Sequence, residues 1–152
     1  MTEAISFNIH LDIPYEEAIE KLAEELKEDG FGILTRIDVK ATMKEKLGAD
    51  FRKYAILGVC NPPLAHRALS HHTEVGLMLP CNVIVEEDEQ DGGSIIRIGD
   101  PEAFMRAGGF DTDPVLSAVG AEARESLKRV AGRLEAIGVE ASGGAAGKGS
   151  GS

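Results

Sequence analysis

Apolar and polar positions change period along this chain, and each change marks an element. Ile5, Phe7, Ile9 and Leu11 alternate with Ser6, Asn8, His10 and Asp12, a period of two that predicts a strand with one buried face. From Pro14 the period lengthens. Tyr15, Ala18, Ile19, Leu22, Ala23 and Leu26 recur at helical spacing through Asp29, with Glu16, Glu17, Glu20, Lys21, Glu24 and Lys27 on the remaining face. Pro14 suits a first helical turn, Glu17 and Lys21 are spaced for an i,i+4 pair, and Gly30 stands where a left-handed cap is expected. Phe31 to Asp38 reads as a second strand, with Phe31, Ile33, Thr35 and Ile37 on one side and Leu34 and Arg36 on the other. A short helix from Val39 to Leu47, ended by Gly48, follows.

The run from Lys53 to Cys60 is apolar on both faces, which predicts a strand in the interior of a sheet. Asn61 is a favoured N-cap and Pro62 a favoured first residue for a helix reaching about His71, with Leu64, Ala65, Ala68 and Leu69 inward. A strand from Leu79 to Glu87 comes next. Glu86 to Gly93 then reads as a hairpin loop carrying five acids, and a strand from Ser94 to Ile98 pairs back across it. Pro101 to Arg106 predicts a short helix, after which Gly108-Gly109 is expected to release the chain from the core. Asp113-Pro114 reopens a helix, and Leu116, Val119, Ala123, Leu127, Val130, Leu134 and Ile137 form a seam along it. That seam covers the sheet or meets its counterpart on another subunit. From Ser142 the composition is Gly, Ala and Ser with one Lys, a flexible tail. The expected organisation is an α+β domain over 1–108, a helical extension over 109–140 and a tail over 141–152. There is no internal repeat.

Composition narrows the partners. A chain of 152 residues, 43% hydrophobic and 28% charged, fits one soluble globular domain. Its formal charge of −10 works against phosphate backbones and anionic lipid, so neither nucleic acid nor a membrane is expected as partner. No apolar run approaches the roughly 18 to 20 residues of a membrane span. Met1 to Ser6 shows no basic or apolar leader, so a cytoplasmic setting is expected. There the two cysteines would be reduced thiols rather than a disulfide.

Candidate chemistry concentrates between Tyr54 and Val85, which holds both cysteines, as Cys60-Asn61-Pro62 and Pro80-Cys81-Asn82. Cys60 precedes a helix N-terminus, where unpaired N–H groups and the macrodipole favour a thiolate. If the two strands are antiparallel neighbours, both thiols sit at one sheet end, able to share a metal, form a reversible disulfide or line one pocket. The plain alternative is that each fills a core, as reduced cysteine often does. Asn61 reads as a cap or a ligand contact. Asn82 either satisfies backbone groups or presents its amide to a ligand. His66 falls on the polar face of its helix with Arg67 and Ser70, as a surface residue or as third member of a metal set with Cys60 and Cys81. Haem ligation by Cys60 or Cys81 with His66 or His72 is a related alternative. No C-x-x-C or H-x-x-x-H spacing supports a metal, and no nucleotide-binding or hydrolase motif is present. The acids lie on helix faces and in one loop, leaving no isolated pair for acid–base work. The residues therefore name no cofactor and do not favour an enzyme.

Gly58-Val59-Cys60-Asn61-Pro62, Leu79-Pro80-Cys81-Asn82-Val83, Asp100-Pro101 and the stretch from Gly30-Phe31-Gly32 into Ile37-Asp38-Val39-Lys40 resemble the domain of unknown function 302 family. The likeness spans roughly Ile5 to Arg106. It implies a compact α+β domain with a curved, mainly antiparallel sheet of about five strands and helices packed on it, like one copy of the TATA-binding-protein-like fold. It also implies a homodimer. It implies no reaction, and kinship with a DNA-binding fold transfers no function. The expectation is a non-catalytic homodimeric binding or regulatory domain. A small ligand such as an anion would sit at the helix start formed by Asn61-Pro62, with Cys60, Cys81 and Asn82 lining the site. The rivals are a thiol redox or sulfur-transfer protein in which Cys60 attacks and Cys81 resolves, a metal or haem protein, and a structural dimer joined through Leu127 to Ile137.

Overall fold

A computed structural model describes residues 4–138 with their side chains and 139–151 by backbone alone. The elements in order are β1 (Ser6–Leu11), α1 (Tyr15–Glu28), β2 (Gly32–Asp38), α2 (Val39–Leu47), β3 (Tyr54–Cys60) and α3 (Pro62–His71). A 3-10 segment (Thr73–Met78) leads to β4 (Cys81–Glu87), β5 (Ser94–Gly99) and α4 (Pro101–Ala107), and a second one (Phe110–Thr112) to α5 (Pro114–Gly151). The tail expected over 141–152 lies outside the fully described residues. Among the described residues no helix is long and apolar enough to cross a membrane.

The strands form one open sheet in the order β1-β5-β4-β3-β2, every neighbouring pair antiparallel. This is the α+β architecture that the alternating and helical periods predict. Alternation sorts the strands into two faces. Ile9, Leu11, Leu57, Val59, Val83, Val85, Ile96 and Ile98 are buried beneath Leu22 and Leu26 of α1 and Leu127, Val130 and Leu134 of α5. Ile56, Ile84 and Ile95 point the other way and are half-buried. A second apolar cluster at one end joins Leu64 and Ala68 of α3, Val75, Met105 of α4, and Leu116, Val119 and Ala123 of α5.

The seam on α5 is thus a cover for the sheet. Residues 109–134 pack into the unit expected to end at 108, and Gly108-Gly109 does not release the chain. Gly108 lies so close beneath Met78 that a Cβ there would come within 2.6 Å of the methionine methyl. Charge ties the layers too. Arg133 Nε meets Glu25 Oε2 at 2.6 Å, its Nη2 meets Asp29 Oδ2 at 2.7 Å, and Arg129 Nε meets Asp29 Oδ1 at 3.2 Å. On α1 itself Lys21 lies 3.8 Å from Glu24.

Two local expectations need correction. The register shifts between Ile33 and Thr35, so Leu34 is an extra residue and the phase of β2 flips. Phe31 and Ile33 face the core, whereas Thr35 and Ile37 pair with Gly58 and Ile56 on the open face. The acidic run is also less of a loop than its composition suggests. Glu86 is buried in β4 between Arg52 Nε at 3.0 Å and Arg97 Nε at 3.6 Å, and Glu87 accepts the Lys53 N–H at 2.9 Å. The predicted strand to Glu87 and the predicted loop from Glu86 overlap at these two residues; the structure keeps both in β4, with Glu86 neutralised by Arg52 just ahead of β3 and Arg97 of β5.

Candidate functional site

At one end of the sheet β3 finishes at Cys60 and β4 starts at Cys81, with Val59 directly opposite Cys81. The shared sheet end expected of the two thiols is therefore present. They differ in strand phase, although both line one narrow slot at this end. Val59, Cys81 and Val83 lie in the phase that faces the helices, and Cys81 packs against the main core. Cys60 lies in the phase of Ile56 and Gly58, one residue out of step. Both cysteines are free.

Their acidity runs against the expected activation. Burial pushes the Cys60 thiol up, and burial with Cys60 nearby pushes Cys81 up to about 11. The reason that α3 does not create a thiolate lies in its first turn. Pro62 and Pro63 have no N–H, Leu64 N donates to Asn61 Oδ1 at 3.3 Å, and Ala65 N donates to Asn61 O at 3.0 Å. Residues 62–65 therefore leave no free N–H for the anion expected at Asn61-Pro62. Pro63, adjacent to the Pro62 that was singled out, is the residue that carries this correction.

Asn61 is equally committed. Its Oδ1 caps α3 while its Nδ2 donates to Asp29 O at 3.2 Å, tying the start of α3 to the end of α1. Gly30 makes room for that amide, since a Cβ on Gly30 would lie 3.3 Å from Asn61 Nδ2. His66 is exposed on α3, opposite the buried Leu64 and Ala68. Among the described residues no three His, Cys, Asp or Glu side chains come together to hold a metal, so the set Cys60, Cys81 and His66 is not assembled. His72 packs edge-on against Phe110 at 5.6 Å between ring centroids.

What the sheet end does contain is a cleft of about 220 Å³. The run Leu77 to Asn82 forms one wall, and Gly99, Pro101, Phe104 and Met105 form the other. The Leu79–Pro80 peptide in the first wall is cis. Gly99 sets the width, because a Cβ there would stand 2.8 Å from the Phe104 ring and 3.0 Å from Asn82 O. Asn82 is exposed at the rim, opposite Gly58, and Cys81 lies at the inner wall. A narrower slot of about 40 Å³ adjoins it, with Cys60, Leu64, Leu79, Cys81 and Met105 among its lining. Of the five residues nominated from sequence, Cys81 and Asn82 line the cleft and Cys60 and Asn61 the slot, whereas Pro62 lines neither. Sequence reasoning missed Met78, Phe104 and Met105. Each sits in an ordinary apolar pattern; Met78 adjoins Cys81 along the chain, and the return through β5 and α4 brings Phe104 and Met105 beside it.

Comparison with known proteins gives a consistent picture. The family model described as Domain of unknown function DUF302 matches residues 7–134, so the match runs through the buried seam of α5 and beyond the Ile5 to Arg106 span resembled in sequence. The crystal structure of an uncharacterized conserved protein DUF302 from Bacillus stearothermophilus is similar to this chain at 32% identity with a TM-score of 0.75, covering 87% of this chain and 99% of that one. Among curated proteins there is no match.

Proposed function

We propose, for a chain that belongs to the domain of unknown function DUF302 family, a non-catalytic homodimeric binding or regulatory domain whose ligand lies in the cleft at the Cys81 end of the sheet. The observation that carries this reading is the cleft itself: a concave, largely apolar space with an amide at its rim and a thiol in its wall, the usual make-up of a small-molecule site. Its volume suits a ligand of few heavy atoms. A binding role is supported over the thiol relay because burial raises both thiols and so disfavours the thiolate that a relay needs. Two unbridged cysteines suit a reducing, cytoplasmic setting. The second copy is supported by the open face of the sheet, where Ile37 is 50% exposed and Ile56, Ile84 and Ile95 are only half-covered.

Amide chemical-shift mapping of the full chain with a small neutral aromatic probe, indole, tests the cleft. Saturable shifts confined to residues 77–82 and 99–105 are expected. Shifts that scatter over the surface, or none at all, overturn the reading.

A further inference from the structure

We propose that the inner wall of this cleft binds a soft monovalent cation of the Cu(I) or Ag(I) type through the Cys81 sulfur and the thioethers of Met78 and Met105. The inference rests on the cleft reading and names the class of its occupant. The chain has two cysteines and four methionines, and three of those six sulfur side chains line this one cleft. Cys60 adds a fourth in the adjoining slot. This concentration at one sheet end is assembled from separate elements, since Met78 ends a 3-10 segment, Cys81 starts β4 and Met105 comes from α4.

The lining also selects the kind of metal. Thiolate and thioether are soft donors, suited to Cu(I) and poorly suited to calcium or magnesium. Cys81 is the single ionisable residue of the cleft lining. A monovalent cation on one thiolate is neutral as a unit and can rest against apolar walls. A divalent cation would leave a net positive charge there with nothing to balance it. The step is an exchange: the Cys81 S–H bond breaks, a sulfur–cation bond forms, the proton passes to solvent, and no electron changes hands. Met105 is buried, held on α4 against Gly120, where a Cβ would lie 3.2 Å from its Cγ. Met78 is half-buried, its methyl resting over Gly108, and it lines the same wall of the cleft as Cys81.

Anaerobic titration of the full chain with Cu(I) against a chromophoric Cu(I) chelator, followed by thiolate-to-copper charge-transfer absorbance, tests the site. One equivalent is expected to bind. Cys81→Ser should abolish it, Met78→Leu and Met105→Leu should each weaken it at least about tenfold, and Cys60→Ser should leave it unchanged. Leucine keeps the methionine volume, so circular dichroism should report an intact fold in both methionine variants. Unchanged affinity in the two leucine variants, or binding that survives Cys81→Ser, overturns the site. Failure of the wild type to take Cu(I), with indole shifts still mapping to the cleft, overturns the cation and leaves the cleft standing. Absence of the indole shifts overturns the cleft reading whatever the copper result.

Discussion

At the scale of single residues, the two thiols differ in kind although their sequence contexts look alike. Each stands beside an asparagine and within two residues of a proline, and a reader of the sequence has no means to rank them. The fold ranks them by phase along two antiparallel strands. Cys81 lies in the core-facing phase, and burial raises its pKa to about 11; Cys60 lies in the outward phase, and its thiol is raised too. A raised thiol pKa means less thiolate at neutral pH, and the thiolate is the form that alkylates. Labelling with iodoacetamide, resolved by peptide mass spectrometry, is therefore expected to modify Cys60 first. The Cys81 rate should keep climbing with pH beyond the usual 9.0 of a free thiol. Equal rates with an ordinary midpoint at both cysteines would contradict the burial assigned to them. The same scale shows why the expected thiolate at Cys60 is absent. A helix start favours negative charge through its free N–H groups, and Pro62, Pro63 and the Asn61 cap leave none in this first turn.

At the scale of elements, the periods of two and of 3.6 located nearly every strand and helix, because burial of one face is a local property of the chain. Where they failed, a partner distant in sequence decided the outcome. The bulge at Leu34 depends on pairing with β3, and whether Glu86 ends the strand or opens the turn, both of which the sequence allowed, depends on Arg52 and Arg97. The end of the core at 108 was misjudged for the same kind of reason. Gly108-Gly109 is a strong local break, yet Leu127, Val130 and Leu134 return to the sheet beyond it. Each of those leucines is fully buried. Replacing a buried leucine by alanine removes transfer free energy and leaves a cavity, at a cost of about 2–5 kcal/mol. Leu134→Ala is accordingly expected to lower stability by that amount in urea unfolding at unchanged m-value. A loss below about 0.5 kcal/mol would mean that α5 is an appendage after all.

At the scale of the whole molecule, the helices α1 and α5 cover one side of a sheet whose other side is left open. The cleft was legible in sequence only as a neighbourhood. Both cysteine motifs pointed to this sheet end, but the residues that shape its volume, Phe104 and Met105, reach it through a hairpin and a helix start. The open side is the surface assigned to the second copy. A charge introduced there should be tolerated by an isolated chain and rejected by a closed interface. Ile37→Lys is expected to convert a two-chain species to a one-chain species in sedimentation, with circular dichroism unchanged. A dimer that persists in this variant would move the contact elsewhere, for instance to the far stretch of α5.

The extra residue in β2 carries one more consequence. β2 is the last strand of an unclosed sheet, so its outer row of backbone donors and acceptors offers a template on which another chain could grow. Leu34 and Ile37, both bared to water on that strand, would add greasy adhesion. The kink at Leu34 breaks the template after two rungs and turns its halves out of line. Excising Leu34 would straighten the border while leaving Thr35 and Ile37 opposite Gly58 and Ile56, and so leave a ribbon primed for fibril-like stacking. An apparent irregularity in the register is thus a safeguard at the exposed border of an unclosed sheet.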